Sequence, residues 1–316
     1  MKEVISQQET MLQEVIDGMS LPQKSLPSKY FYDEKGSKLF DEITRLDEYY
    51  PTRTEWAILK HYVHEMGEAL GNKVLLIEPG SGSSEKTRVL LDNLASICCY
   101  IPMDISGEYL GKVAEVLRGE YPNITIQPLA ADYTRPFELP QMHNDSRKIV
   151  FFPGSTIGNF DPDTVQRFFS VIHDIVGEDG GVLIGVDLKK DVSVLEAAYN
   201  DNKEITAAFN KNILSHINRE IGSNFDPELY DHKSVWNEEE GRIEMHLIAN
   251  QDHTVFVNGD TFSLKAGESI HTENSHKYSL QEFADTVAPW FNVSQVWTDE
   301  KNYFSVQYLV PKEMNQ

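Results

Sequence analysis

The stretch Val74-Leu75-Leu76-Ile77-Glu78-Pro79-Gly80-Ser81-Gly82-Ser83-Ser84-Glu85-Lys86-Thr87-Arg88 decides the fold of this chain. Its apolar start predicts a buried strand, and its two glycines predict a tight turn. A helix follows, for which Ser83 or Ser84 is the candidate N-cap. Such a turn lets the backbone approach a ligand closely, and the helix N-terminus adds partial positive charge.

Two common phosphate-binding motifs do not fit this turn. The dinucleotide fingerprint needs a third glycine at fixed spacing, which the chain lacks. The P-loop ends in Gly-Lys-Ser/Thr, whereas Glu85 precedes Lys86 here. What remains is strand, acid, Gly-x-Gly and helix, the form most common in S-adenosylmethionine (SAM) methyltransferases. The alternative is a purely structural turn of an α/β protein.

The composition indicates a soluble protein without nucleic-acid or membrane partners. The 316 residues carry a net charge of −22, whereas phosphate binding requires a surplus of Lys and Arg. The N-terminus lacks the basic start and apolar core of a signal peptide, and no apolar run is long enough to span a membrane. The two cysteines, Cys98 and Cys99, are adjacent and predict buried, reduced residues. We therefore expect a cytoplasmic protein.

From residue 74 the sequence alternates between strand and helix, as a parallel doubly wound sheet requires. Further strands are predicted at 97–103, 124–129, 149–152 and 182–187. Polar residues follow four of the five strands, and the carboxyl ends of parallel strands form the ligand-binding edge of such a sheet. These residues are Glu78, Asp104, Asp132 and Asn159.

The acids at this edge predict a pocket for a nucleoside cofactor. A carboxylate after the second strand, Asp104, can accept hydrogen bonds from two ribose hydroxyls. A carboxylate after the third strand, Asp132, can accept from an adenine amino group. Each could instead cap a helix, which is the usual role of Asp and Asn at strand ends.

After the fifth strand the pattern changes, which predicts an inserted module. Residues 191–220 have helical periodicity, and from Arg242 onward the chain alternates as strands do. We predict a core domain from 53–189 and 279–316, and a substrate-binding domain from 1–52 and 190–278. The fold class is α/β, a Rossmann-like, mostly parallel sheet with a second α+β domain.

Two further clusters allow more than one interpretation. The aromatic residues of the N-terminal region either attach loops to the core or line a pocket with their hydroxyls; they are Tyr30, Phe31, Tyr32, Tyr49 and Tyr50. His61 and His64 share a helix face, as a metal pair would, although solvated surface histidines fit better because no third ligand is near in sequence.

Several motifs together resemble one known family, the L-histidine Nα-methyltransferases of ergothioneine biosynthesis. The resemblance covers nearly the full chain and rests on segments 29–33, 48–55, 80–88, 154–159, 242–245 and 272–275. It implies a SAM methyltransferase core with a second domain. It also implies transfer of three methyl groups to the α-amino group of free L-histidine, giving hercynine. Because methyl transfer is an in-line attack by a neutral amine, we expect the protein to supply position rather than a dedicated catalytic base, and we expect no metal.

The resemblance also implies roles for individual residues. SAM contacts are Gly80, Lys86, Asp104, Asp132 and Tyr133; the family has Phe at the last position, so the aromatic ring is retained. Asn159 and Tyr199 would hold the amino-acid end of the substrate, and Tyr49, Glu273 and Ser275 would face its imidazole. The remaining expected substrate contacts are Tyr32, Met245, Gly154 and Asn274.

Glu273 and Ser275 can accept from and donate to the two ring nitrogens, which an apolar pocket could not satisfy. We expect a monomer that binds L-histidine and its mono- and dimethylated forms. Three alternatives remain: a methyltransferase for another amino acid or small amine, a non-enzymatic SAM-binding protein, and an NAD-dependent enzyme. The missing third glycine argues against the NAD-dependent enzyme.

Overall fold

The computed structural model describes residues 7–105, 107–133, 135–140 and 145–313. The spacing of apolar residues predicts a helix over residues 1–22, of which Val4 and Ile5 lie outside the described residues. The α-helices are α1 (Gln7–Ser20), α2 (Glu34–Ile43), α3 (Tyr50–Leu70), α4 (Glu85–Asn93), α5 (Gly107–Glu120), α6 (Pro162–Val176), α7 (Val192–Tyr199), α8 (Ile205–Ile221) and α9 (Leu280–Val287). Short 3₁₀ helices cover Ser28–Phe31, Thr156–Asn159 and Pro227–Leu229.

The strands are β1 (Lys24–Ser25), β2 (Val74–Pro79), β3 (Ile97–Asp104), β4 (Thr125–Ile126), β5 (Leu129–Ala130), β6 (Arg147–Phe152), β7 (Gly181–Asp187), β8 (Tyr230–Asn237), β9 (Arg242–Ala249), β10 (His253–Val257), β11 (Asp260–Leu264), β12 (Ser269–His276), β13 (Phe291–Thr298) and β14 (Phe304–Pro311). The chain divides into two compact units. We call Pro51–Lys189 with Lys277–Gln316 the core unit, and Met1–Tyr50 with Lys190–His276 the second unit.

The core unit is built on one sheet with the strand order β13-β14-β7-β6-β2-β3-β4, and β5 also pairs with β3. Strands β7, β6, β2, β3 and β4 are parallel, whereas β14 and β13 are antiparallel. Alternate residues of β2 enter different apolar clusters, Leu76 with α3, α4 and α5, and Ile77 with α6 and α9. Helices thus cover both faces, which confirms the predicted doubly wound sheet and explains why β2 is apolar throughout.

The second unit contains a sheet with the order β1-β12-β9-β8 and a hairpin of β10 and β11. Strand β9 alternates between buried and half-buried residues, as a strand with one dry face does. Helix α8 packs against α1, α2 and the 3₁₀ helix Ser28–Phe31. Phe209 of α8 stacks on Phe31 with ring centroids 4.6 Å apart, so Phe31 is part of this unit's core.

Several local predictions were wrong in detail. Thr54 is a residue type that caps helices, and its position predicts a helix from there to about Leu70; helix α3 instead begins at Tyr50, so Thr54 lies inside it. Ser84 occupies the N-cap position of α4, but its φ is +56° and its side chain makes no capping hydrogen bond. The Ser84 hydroxyl instead lies 2.8 Å from the hydroxyl of Tyr100, a partner that the local sequence does not reveal.

Two predicted elements also have different bounds. The third strand is two short strands, β4 and β5, and the helical stretch 191–220 is two helices. Asp201 separates these two helices because its carboxylate accepts the backbone N–H groups of Ile205 (2.9 Å) and Thr206 (2.8 Å). Strand β8 was not predicted, since its buried positions do not alternate along its length. Both cysteines are free thiols, but only Cys99 is buried.

A membrane span was not expected, and the described helices include none that is both long and apolar enough to cross a bilayer.

Candidate active site

The turn after β2 has the backbone that its two glycines allow. Gly80 and Gly82 have φ values of +68° and +49°, a region that other residues enter with strain. A Cβ on Gly80 would lie 3.4 Å from the Tyr133 ring, so the absence of a side chain leaves the backbone open beside that ring. The hydroxyl of Ser81 is buried and has no hydrogen-bond partner among the described residues. An orphaned polar atom in an open turn fits a polar ligand such as SAM.

Glu78, the acid before this turn, is buried in the core unit. The hydroxyl of Tyr100 donates a hydrogen bond to its carboxylate. Burial raises the pKa of Glu78 from its ordinary value of 4.5 to about 7, and the Tyr100 hydrogen bond and the Lys86 charge offset only part of that effect. Glu78 therefore changes its ionisation near neutral pH.

Three of the predicted SAM contacts lie close together at the carboxyl end of β3: Asp104, Asp132 and Tyr133. Asp104 ends that strand, and its carbonyl accepts the N–H of Ala131 at 3.2 Å. Burial, and then the negative charges of Asp104 and Asp132, raise the pKa of the Tyr133 hydroxyl, which therefore stays protonated. The Tyr133 ring packs edge-on against Phe152, with centroids 5.9 Å apart. The structure thus brings together four predicted SAM contacts, the fourth being Gly80.

Lys86, the fifth predicted SAM contact, is held by Glu55, which is not among the predicted site residues. The fully buried carboxylate of Glu55 accepts a hydrogen bond from the Lys86 ammonium and from the Gly154 N–H, at 2.8 and 3.0 Å to its two oxygens. A Cβ on Gly185 would lie 2.0 Å from Glu55 Oε1, so β7 needs a glycine there. Glu55 thus links the start of α4 to the loop after β6.

A local signal for Glu55 was present in the sequence. Glu55 stands three and four residues before the buried Ile58 and Leu59 on α3, and it therefore lies on the apolar face of that helix. A carboxylate in such a position needs charged or hydrogen-bonding partners. The pattern identifies an unusual buried acid, although it does not identify Lys86 or Gly154 as the partners.

The loop after β6 contains two predicted substrate residues, Gly154 and Asn159. Gly154 and Ser155 both have positive φ values, +84° and +56°. The Ser155 hydroxyl accepts the N–H of Asp187 at 2.9 Å, which fixes the loop to the end of β7. Asn159 is half-buried at the end of the 3₁₀ helix Thr156–Asn159. Both residues belong to the core unit.

The predicted substrate residues of the second unit gather around β12. The Tyr199 hydroxyl donates a hydrogen bond to Ser275 Oγ at 2.8 Å, and both side chains are buried. Glu273 is two residues before Ser275, so both side chains lie on one face of the strand. Across the ladder Glu273 pairs with the buried Met245. The structure therefore assembles a carboxylate, two hydroxyls and a thioether locally.

Aromatic contacts connect the remaining residues to this group. The Tyr49 ring lies 6.2 Å from that of Tyr199, and Phe40 contacts both Tyr49 and Tyr32. Tyr32 is 46% exposed, so its ring borders solvent. Asn274 is not brought to this face: it follows Glu273 in the strand and pairs with Glu244, and alternation turns its side chain to the other face.

Comparison with known proteins adds independent findings. Residues 11–311 match the model of a family described as histidine-specific methyltransferase, SAM-dependent. The chain is 38% identical over 308 residues to histidine N-alpha-methyltransferase of Mycolicibacterium smegmatis, covering 96% of this chain and 95% of that one. It is 32% identical over 275 residues to ergothioneine biosynthesis protein 1 of Schizosaccharomyces pombe, covering 83% of this chain and 36% of that one.

A more distant relative has a different acceptor in its name. The chain is 24% identical over 322 residues to 4-dimethylallyltryptophan N-methyltransferase of Claviceps purpurea, covering 93% of this chain and 92% of that one.

The pKa of Glu78 predicts a pH dependence of stability. Because the folded-state pKa lies above the ordinary value of 4.5, the folded protein binds more protons than the unfolded chain between pH 4.5 and 7. The free energy of unfolding should therefore fall as pH rises through this range, by about 3 kcal/mol in total from this group. Urea unfolding of the wild type and of Glu78→Gln at pH 5 and pH 8 measures the difference.

In Glu78→Gln this component should be absent, so the difference in stability between the two proteins should shift in favour of the variant at pH 8. Parallel pH profiles for the two proteins would contradict the assignment of a near-neutral pKa to Glu78.

Proposed function

We propose that this chain, which belongs to the family of SAM-dependent, histidine-specific methyltransferases, transfers three methyl groups from SAM to the α-amino group of L-histidine. The product is Nα,Nα,Nα-trimethylhistidine, or hercynine, the precursor of ergothioneine. The family match over residues 11–311 carries the proposal. The arrangement of polar groups within each unit supports the roles that we assign below.

In the core unit we assign SAM binding to Gly80, Lys86, Asp104, Asp132 and Tyr133. When bound, SAM supplies an electrophilic methyl group on a sulfonium sulfur. The Gly80 backbone is open to a close ligand contact, and the Asp104 carboxylate suits ribose hydroxyls. Asp132 accepts from the adenine amino group, and the Tyr133 ring packs against the base. Glu55 fixes the ammonium of Lys86 in place.

The reacting amine must be neutral and aligned, so the protein contributes position rather than a dedicated base. Asn159 and Tyr199 hold the amino-acid end of histidine in our proposal. Tyr199 donates to Ser275 Oγ, so its hydroxyl acts as donor in that pair and remains able to accept from another donor. The amine exchanges its protons with solvent between methyl transfers.

Glu273 and Ser275 bind the imidazole in our proposal. They lie on one face of β12, two residues apart, which is a spacing that suits the two nitrogens of one ring. Ser275 accepts from Tyr199 and keeps its own proton to donate to the unprotonated ring nitrogen, while Glu273 accepts from the ring N–H. A substrate without these nitrogens would lose both hydrogen bonds, which is how such a site rejects analogues.

Each methyl group enlarges the amine, and the final product carries a permanent positive charge. Tyr49 and Tyr32 belong to a connected aromatic group whose rings can stabilise that cation. We also propose that the enzyme is monomeric and cytoplasmic and that its partners are small molecules rather than nucleic acid.

The direct experiment is mass spectrometry of L-histidine incubated with the protein and SAM. We expect histidine to gain one, two and finally three methyl groups, with matching formation of S-adenosylhomocysteine. Histamine, which lacks the carboxylate, and phenylalanine, which lacks the imidazole, serve as control acceptors. Absence of turnover with histidine under conditions where SAM binds would overturn the proposal.

A second candidate function is N-methylation of another amino acid, which the similarity to the Claviceps purpurea enzyme favours. A competition assay with a mixture of free amino acids separates the two. Preferential methylation of an acceptor other than histidine would support this alternative.

The role of Glu273 and Ser275 predicts a change in selectivity rather than a general loss of activity. Glu273→Gln and Ser275→Ala should each raise the KM for histidine by roughly 10–100-fold, since each removes one polar partner from a buried ring. The affinity for SAM, measured by calorimetry, should be unchanged. Glu268→Gln, at the turn before β12 and remote from Ser275 in the ladder, is the matched control. Unchanged histidine selectivity in both variants would contradict the assignment.

Glu55 predicts a separate effect on SAM. Glu55→Gln keeps an acceptor for the Gly154 N–H but removes the charge that holds Lys86, so SAM affinity should fall by roughly tenfold. Calorimetric titration with SAM measures it. Glu65→Gln on the same helix is the control, because Glu65 also accepts a hydrogen bond, from Trp297 at 3.0 Å. Equal SAM affinity in all three proteins would show that Glu55 does not position Lys86 for binding.

A further inference from the structure

A second cluster of polar side chains lies on β9 and β12 of the second unit. It consists of Glu244, His246 and His271, all half-buried. Each offers one nitrogen or carboxylate oxygen, and these atoms lie within 4.8 Å of one another. His246 and His271 are direct partners across the antiparallel ladder, and their ring centroids are 5.1 Å apart.

The cluster is on the opposite face of the sheet from the proposed imidazole contacts. Glu244 and His246 flank Met245 in β9, so alternation directs them away from the face of Met245. The ladder register shifts between His271 and Glu273, which marks a β-bulge. The bulge places His271 on the face of His246, whereas Glu273 pairs with Met245 on the other face.

The hydrogen bond of His271 leaves its other ring nitrogen available, and Nε2 of His246 faces the Glu244 carboxylate. His271 Nε2 donates to the carbonyl of Glu273 at 3.0 Å, so in the neutral ring Nδ1 keeps its lone pair. A backbone carbonyl on the second nitrogen is the usual support of a metal-binding histidine. His246 Nε2 lies 3.2 Å from Glu244 Oε2, and its Nδ1 is buried without a hydrogen-bond partner among the described residues.

The carboxylate is also oriented by neighbours. Arg242 donates to Glu244 Oε1 from Nε at 2.9 Å and from Nη2 at 2.8 Å, and Asn237 donates to the same oxygen at 2.9 Å. Oε2 is therefore the oxygen directed at His246. The Arg242 charge opposes a nearby cation, but it is bound to the far oxygen, as the hydrogen-bonded outer partner of a ligating carboxylate is.

We propose that Glu244, His246 and His271 bind one divalent transition-metal ion of the zinc class, with water completing the coordination. Two ligand atoms of a tetrahedral zinc ion at its usual bond lengths are about 3.3 Å apart. The 3.2 Å between His246 Nε2 and Glu244 Oε2 matches that separation. Two nitrogens and one oxygen with an open position suit Zn²⁺ or Co²⁺ better than Ca²⁺ or Mg²⁺, which prefer oxygen ligands.

This site is separate from the methyl-transfer chemistry, which needs no metal. A bound ion would join β9 to β12 beside the bulge that precedes Glu273. Its role is therefore structural, and the test does not depend on the activity of the enzyme.

The experiment uses untagged, chelator-treated full-length protein and ZnCl₂ at pH 7.5. Calorimetry and equilibrium dialysis should give one tightly bound ion per chain, and Zn²⁺ should raise the Tm of the wild type. CoCl₂ should produce the visible absorption bands of a tetrahedral or five-coordinate site. Absence of stoichiometric binding to the wild type would overturn the proposal.

Variants identify the ligands. His246→Asn and His271→Asn should each weaken Zn²⁺ binding by at least roughly tenfold and abolish the Tm increase. The matched control is His61→Asn/His64→Asn, which removes the exposed histidine pair of α3 in the core unit. Circular dichroism verifies folding, and His271→Gln replaces His271→Asn if the latter fails to fold. If the α3 double variant loses Zn²⁺ binding while the His246 and His271 variants keep it, the ion binds at α3 and the proposed site is refuted.

Discussion

The Glu55 carboxylate is buried in the core unit, where it accepts hydrogen bonds from the Lys86 ammonium and the Gly154 backbone N–H. A buried charge is tolerated only when partners replace its hydration, and loss of one partner of such a pair typically costs about 3–5 kcal/mol. The partners come from two different crossover connections, the helix after β2 and the loop after β6. The geometry of both loops therefore depends on this one contact, and so does the placement of Lys86.

The same contact explains sequence features elsewhere in the core unit. Gly185 lies within the central strand β7, where a side chain would normally add packing. A Cβ there would collide with the Glu55 carboxylate, so the absence of a side chain at Gly185 leaves the space that this carboxylate occupies. The positive φ of Gly154 likewise belongs to a loop whose N–H group points at Glu55. The hydrogen bonds that Glu55 needs, rather than apolar packing, thus determine the backbone conformation around this acid.

In the second unit, strand β12 presents polar side chains on both faces of its sheet. Strand β12 carries Glu273 and Ser275 toward Tyr199 and Met245, and it carries His271 to the face of Glu244 and His246. Simple alternation would not separate His271 and Glu273, which are two residues apart. The bulge between them makes the separation, as bulges often do where a side chain must be redirected.

The sequence by itself determined the order of elements, the doubly wound sheet and the polar residues at the strand ends, because these follow from local periodicity and chain order. It also indicated the family, because the family's motifs are short contiguous segments that can be recognised without the structure. Only the tertiary structure decided the partners of Glu55, which is 99 residues from Gly154, and the Tyr199–Ser275 hydrogen bond, which spans 76 residues. Likewise, it decided the unpredicted strand β8 and the bulge that groups two histidines with a glutamate. These features depend on strand register and on contacts between distant segments, which local patterns of hydrophobicity do not encode.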